Sequence, residues 1–196
     1  MDIKLYGLNT IDKKGINIVE NIVNDSSKLK WHDASVRGED YNIAVMQKVR
    51  QCKSCFLDYN KELDNLFGTL VEDFNRNYSG WNYDIHFLEA IQLSHYSEGN
   101  FYDWHVDTLA KPIINNDVSY NRKVSATFFL NDPEEYEGGE FDLEVRGPNA
   151  EERFDTIKLP KGSIVIFPSD RWHRVRPVTS GVRKSLVIWF QGPSFR

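Results

Sequence analysis

The chain has 196 residues, of which 40% are hydrophobic and 13% aromatic, enough for one globular domain with a sizeable core. Its formal net charge of −5, with both signs interspersed, argues against the basic face that tracks nucleic-acid phosphates, and no stretch approaches the length of a membrane span. Two cysteines, Cys52 and Cys55, are too few for a disulfide scaffold or a four-thiolate zinc site.

The N-terminus, MDIKLYGLNTIDKKG, has no basic start followed by an apolar run, so no signal peptide is expected and a cytoplasmic location is the simplest reading. In INIVENIV (16–23), Ile16, Ile18, Val19, Ile22 and Val23 make one helical stripe. A loop around 33–42 follows. QCKSCFLD reads as a short strand; its cysteines are expected to be two reduced thiols, one or both packed inside, rather than a redox pair or half a metal site. The strongest helix spans 59–78, where Leu63, Leu66, Phe67, Leu70, Val71 and Phe74 fall on one face. Asn60 is its expected N-cap, Glu62 lies in its first turn, and Tyr78-Ser79-Gly80 ends it.

From there the pattern turns to β. Strands are expected at 86–96, 101–107, 124–131, 139–145, 155–160, 163–168, 173–178 and 184–190. Turn residues punctuate them at Gly99-Asn100, Asp132-Pro133, Gly138-Gly139, Gly147-Pro148, Lys161-Gly162 and Ser180-Gly181. Short strands at this spacing suggest a sandwich or barrel, and helices first with strands later predict helices buttressing one face of an antiparallel sheet. The expected organisation is a single α+β, mainly β domain over 1–196, with 1–85 as a mainly helical buttress and 86–196 as core.

Chemistry concentrates in FYDWHVD. On a strand, His105 and Asp107 would share a face, though a polar strand end would look the same. His173, after the apolar strand SIVIFP and a tight turn, can complete two imidazoles and one carboxylate. That is the facial set of non-haem Fe(II) oxygenases, which leaves open positions for a chelating cosubstrate and O2; zinc would accept the same donors. Arg183 opens GVRKSLVIWF, with Ser185 on the same strand face. A planar guanidinium matches a carboxylate bidentately, so Arg183 can hold the far end of a dicarboxylate whose 2-oxo acid end meets the metal, with a hydrogen bond from Ser185.

The pieces LSHYSEGNFYDWHVD, KVSATFFLNDPEEYEGGEFDL and IKLPKGSIVIFPSDRWHRVRPVTSGVRKSLVIWFQ closely resemble the Fe(II)- and 2-oxoglutarate-dependent dioxygenases of the prolyl/lysyl hydroxylase-domain (PKHD) type, in order, over about half the chain. The resemblance implies a double-stranded β-helix, the cupin-like jelly roll. It implies His105, Asp107 and His173 as iron ligands, Arg183 as the 2-oxoglutarate binder and Tyr96 in the cosubstrate pocket, with ascorbate as the supporting reductant. It also implies a prolyl residue of a peptide or protein as substrate. A hydroxylase of a free amino acid or other small metabolite, and a non-catalytic metal-binding jelly roll, are the alternatives.

The chain departs from relatives in places. Phe129 stands where some oxygen-sensing prolyl hydroxylases place a tyrosine that reaches 2-oxoglutarate, and Arg183 where collagen-type enzymes use lysine. Related halogenases replace the carboxylate that this chain keeps as Asp107. AlkB-like nucleic-acid demethylases carry a second arginine where Trp189 stands, so no nucleic-acid partner is expected. The chain stops at PSFR, without the longer tail of some bacterial members, and a monomer or weak dimer is expected.

Trp189 is expected in the core rather than in the pocket wall, and Trp104 in packing away from the ligands. His32, His86 and His95 read as structural or surface residues. Arg171, Arg174 and Arg176 either pair with the acids of EEYEGGEF or attract an anionic substrate.

Overall fold

The computed structural model describes residues 4–25, 29–34, 49–147 and 149–194. The first half contributes strand β1 (Gly7–Thr10), helix α1 (Lys13–Val23), strands β2 (His32–Asp33), β3 (Arg50–Gln51) and β4 (Lys53–Phe56), and helix α2 (Lys61–Asp73). The second half is built of β5 (Phe87–Leu88), β6 (Gln92–Ser97), β7 (Phe101–His105), β8 (Ile113–Asn115), β9 (Val118–Phe129) and β10 (Tyr136–Gly138). It continues with β11 (Phe141–Glu144), β12 (Phe154–Ile157), β13 (Ser163–Pro168), β14 (His173–Val175) and the long β15 (Val178–Pro193).

These strands form two antiparallel sheets, as expected of a jelly roll. The larger runs β1-β13-β9-β15-β6-β4-β2, with β5, β8 and β10 attached; the smaller runs β12-β11-β14-β7-β3. Alternation along each strand sorts its side chains between two cores. In β13, Ile164 and Ile166 face the helices while Val165 and Phe167 face the smaller sheet. The outer core joins Val19 of α1 and Leu63, Phe67 and Val71 of α2 to Leu186, Ile188 and Phe190 of β15. Each such fully buried side chain contributes about 1.5–3 kcal/mol. The inner core joins Phe129 and Tyr96 of the larger sheet to Phe141, Leu143 and Val175 of the smaller.

Both helices begin on the caps their sequences supply. The Asp12 carboxylate accepts from the Gly15 N–H, and the Asn60 side chain from those of Glu62 and Leu63. The expected helix over 59–78 is α-helical only to Asp73; its last turn, Phe74–Tyr78, widens to π geometry. The expected loop at 33–42 lies outside the described residues from 35 on, as does Pro148 of the Gly147-Pro148 turn. No helix of the described residues is long and apolar enough to cross a membrane.

Several boundaries differ from the sequence expectation. The first 85 residues are not only helical: they add β1 and β4 to the larger sheet and β3 to the smaller. QCKSCFLD is crossed by a switch between sheets, with β3 on one side of Cys52 and β4 on the other. Cys52 therefore faces the inner core and Cys55 the outer, and both are free thiols. The expected 86–96 strand is broken at Glu89–Ile91 into β5 and β6. Hairpin β8–β9 was missed, although Asn116 and Asp117, at φ 47° and 61°, are the two-residue turn such a hairpin uses. The expected turn at Ser180-Gly181 lies within β15. Gly181, at φ 74°, lets the strand pass Tyr136 where a Cβ would meet the Glu135 carbonyl.

Candidate active site

His105 and His173 are cross-strand partners, one closing β7 and the other opening β14. Asp107 joins them by a route the sequence did not suggest. Strand β7 ends at His105, and the chain turns so that the Asp107 and Thr108 N–H groups both donate to the Ser169 carbonyl, at 2.9 and 3.1 Å. The loop leading to His173 thus pins the His-x-Asp turn, and strand alternation is not what aligns the ligands.

Each imidazole is fixed in one tautomer. The His105 Nδ1 lies 2.8 Å from the Asp103 carbonyl and the His173 Nδ1 2.9 Å from the Arg171 carbonyl. A carbonyl oxygen only accepts, so each Nδ1 donates and each Nε2 turns its lone pair inward. The Asp107 carboxylate meets these lone pairs at 3.8 Å from His105 Nε2 and 3.4 Å from His173 Nε2. Donor atoms of all three lie within 4.8 Å of one another. Burial, then the facing His173, drives the His105 imidazole well below its ordinary pKa, against the pull of Asp107. Burial acts to raise the Asp107 pKa, but the attraction of His173 and His105 in their protonated forms, of Arg122 and of the Ser125 hydroxyl outweighs it and lowers the pKa, so the group is a carboxylate. Asp107 Oδ2 is buried without a hydrogen-bond partner. Acceptors facing one another across a buried gap, one of them orphaned, fit a cation between them.

The same cavity, about 280 Å³ in volume, reaches Arg183, Ser185 and Tyr96 at its buried end and His32 and Phe56 at its exposed rim. Arg183 is 1% exposed and has no carboxylate partner among the described residues. Its Nη1 donates to Ser185 Oγ at 3.0 Å, while Nε and Nη2 are buried and unpaired. Those two N–H groups form the side-on edge of the fork, the edge that grips a carboxylate bidentately. Tyr96 and Phe129 sandwich the guanidinium, their ring centroids 5.5 and 5.4 Å from Cζ. Burial pushes the Tyr96 phenol far above its ordinary pKa, so it remains a neutral donor. Gly139, at φ 65°, leaves room for the Arg183 stem, which passes 3.1 Å from where a Cβ would stand.

Ser185 therefore holds Arg183 in place in this structure. Trp189 belongs to neither apolar cluster; it walls the cavity, with Arg122 lying 3.8 Å over its ring. Trp104 packs away from the site against Phe154, as expected. His86 and His95 stay outside the cavity, whereas His32 reaches its rim. Arg174 and Arg176 both donate to the fully buried Asp142, at 2.7 and 2.8 Å. They pair with an acid just beyond EEYEGGEF and are committed there.

Sequence reasoning missed four wall residues. Glu89 and Arg122 form a two-point ion pair at 2.7 and 2.8 Å across the cavity wall. Tyr102 stacks on the His105 ring at 3.4 Å and 11°, and Arg50 lies 4.5 Å over the other face of Tyr102. None of the four carried a signal: Tyr102, three residues before His105, would alternate to the opposite strand face and reaches the ring only through the register shift between β7 and β14, and the others come from segments distant in sequence.

Residues 91–191 match the 2OG-Fe(II) oxygenase superfamily. The chain belongs to that superfamily. Membership implies Fe(II), 2-oxoglutarate and O2, and the His-Asp-His cluster and orphaned Arg183 edge fit the first two. A PKHD-type hydroxylase of Janthinobacterium sp. (strain Marseille) is 37% identical over 100 residues, covering 50% of this chain and 42% of that protein. Another, from Pseudoalteromonas atlantica, is 34% identical over 141 residues, covering 68% of this chain and 60% of that protein. The chain thus spans less than two thirds of the length of either relative. Among solved structures, a Pseudomonas putida prolyl-4-hydroxylase superposes with a TM-score of 0.65 at 19% identity, covering 97% of this chain and 94% of that one. A Trichoplax adhaerens prolyl hydroxylase, in complex with a hypoxia inducible factor oxygen degradation domain peptide fragment, gives 0.68 at 17%, covering 95% and 83%. At these identities the superpositions establish the fold of this oxygenase.

Proposed function

We propose that this oxygenase hydroxylates a C–H bond of a prolyl residue in a peptide or protein, releasing succinate and CO2. One observation carries the chemistry. Three inward-facing acceptors and an arginine with two orphaned N–H groups share a single cavity. The prolyl assignment is supported by the names of the structural neighbours, which are prolyl hydroxylases.

His105, His173 and Asp107 would hold Fe(II), which supplies O2 activation coupled to oxidative decarboxylation of 2-oxoglutarate. The backbone carbonyls of Asp103 and Arg171 keep both Nδ1 protons in place, so the imidazoles do not rotate away from the metal. The side-on edge of Arg183 takes the distal carboxylate of 2-oxoglutarate, with Ser185 fixing its third nitrogen. Tyr96 and Phe129 keep water from the guanidinium, which strengthens that pairing. Glu89 and Arg122, braced on Trp189, give the substrate side of the cavity a rigid polar wall.

The reading includes ascorbate as reductant, a cytoplasmic location, no nucleic-acid partner and a monomer or weak dimer. It is tested by succinate release with Fe(II), 2-oxoglutarate and ascorbate, with and without a proline-containing peptide and free proline. Stimulation by the peptide alone is expected. Turnover that survives His105→Ala would remove the proposed ligands.

A further inference from the structure

Arg50 has no place in the chemistry above, yet it is the second arginine buried in the same cavity. It is 7% exposed, lines the cavity wall and lies over Tyr102, itself stacked on the iron-facing His105. Among the described residues its one hydrogen bond is from Nε to Cys52 Sγ at 3.3 Å, a weak acceptor for a full charge. No carboxylate among the described residues pairs with it. Among the described residues the cavity is lined by two acids, and both are committed: Glu89 to Arg122 and Gln191, Asp107 to the histidine cluster.

Charge makes the position unusual. With a ferrous ion and a doubly charged 2-oxo acid bound, Asp107 and Arg183 complete a neutral set. Glu89 and Arg122 cancel, and Arg50 alone is left over. A buried, uncompensated guanidinium is costly in an empty protein and is relieved by an anion. The strand switch at Cys52 places it there: β3 pairs with β7 so that Arg50 faces Tyr102 directly.

We infer that Arg50 binds a carboxylate of the substrate, so that the molecule hydroxylated carries an acidic group close to the reacting carbon. This deepens the reading above and rests on it: a prolyl substrate would then present its free carboxylate as a peptide C-terminus, and not an internal amide. Arg50 is a specificity-determining residue, separate from the cosubstrate anchor Arg183.

The test uses the whole chain loaded with Zn(II) and N-oxalylglycine, an unreactive 2-oxoglutarate mimic that occupies Arg183. Acetate is titrated in while the Arg50 side-chain 15N resonance is followed. A saturable shift of Arg50 is expected, with acetate affinity falling at least tenfold in Arg50→Gln by ligand-observed NMR. Acetate that leaves Arg50 unmoved would overturn the inference. So would a shift seen only without N-oxalylglycine, which would make Arg50 a second cosubstrate contact. Displacement of acetate is then compared for L-proline, a peptide ending in proline and the same peptide amidated. Displacement by L-proline assigns the free amino acid, and by the unamidated peptide alone the C-terminus. Equal displacement by both peptides would contradict carboxylate recognition. Displacement by none, with acetate still bound at Arg50, keeps the acidic substrate class and removes proline.

Discussion

The two faces of β15 carry opposite designs on one stretch of backbone. Leu186, Ile188 and Phe190 point to the helices and are buried in purely apolar company. Arg183, Ser185 and Trp189, their alternating neighbours, point into the cavity. Four of the seven buried polar atoms without partners among the described residues line the cavity: Arg183 Nε and Nη2, Trp189 Nε1 and, across from them, Asp107 Oδ2. Buried polar groups are normally satisfied. The helix-facing side follows that rule and holds the fold, while the cavity side breaks it where a metal and anions would supply the missing partners.

Substitutions on the two sides should therefore separate binding from stability. The largest effect is expected at Asp107→Ala, which removes one ligand of three: metal-stimulated succinate release should fall to the metal-free background while thermal unfolding of the apo protein changes little. Next is Arg183→Gln. Truncating a buried charged contact costs about 2–5 kcal/mol, so 2-oxoglutarate affinity should fall at least ~30-fold by calorimetry, with metal affinity unchanged. Because the same change removes an uncompensated buried charge, stability without cosubstrate should hold or rise. Ile188→Ala, on the opposite face, should behave in reverse. It should lose about 2–5 kcal/mol in denaturant unfolding and leave the 2-oxoglutarate affinity of the folded fraction intact. The smallest effect is expected at Asn60→Ala, about 1 kcal/mol from the lost α2 cap, with no change in cosubstrate binding. A stability loss at Arg183→Gln matching that at Ile188→Ala would erase the distinction between the faces.

What the sequence disclosed follows the same division. The helix-facing core is written in local periodicity, so Leu63, Phe67 and Val71 and the Asn60 cap were readable directly. His105, Asp107, His173 and Arg183 were readable because chemically distinctive residues stand beside strand signals. Their alignment was not, since Asp107 reaches the cluster through a turn held by Ser169, a contact between segments far apart in sequence. Arg50, Glu89 and Arg122 were invisible for the same reason: Arg50 lies on β3, Glu89 in the break between β5 and β6 and Arg122 on β9, and only sheet closure brings them to one cavity. The β8–β9 hairpin carried its signal in Asn116-Asp117 and was readable; its mostly exposed strand start, without an alternating apolar face, obscured it.

Anomalous diffraction from crystals soaked anaerobically with Fe(II) and 2-oxoglutarate tests the central claim most directly. The expected map shows one iron held by His105 Nε2, His173 Nε2 and an Asp107 oxygen, with the distal carboxylate of the 2-oxo acid on the Arg183 edge. Iron bound elsewhere, or a 2-oxo acid that leaves Arg183 untouched, would contradict the account.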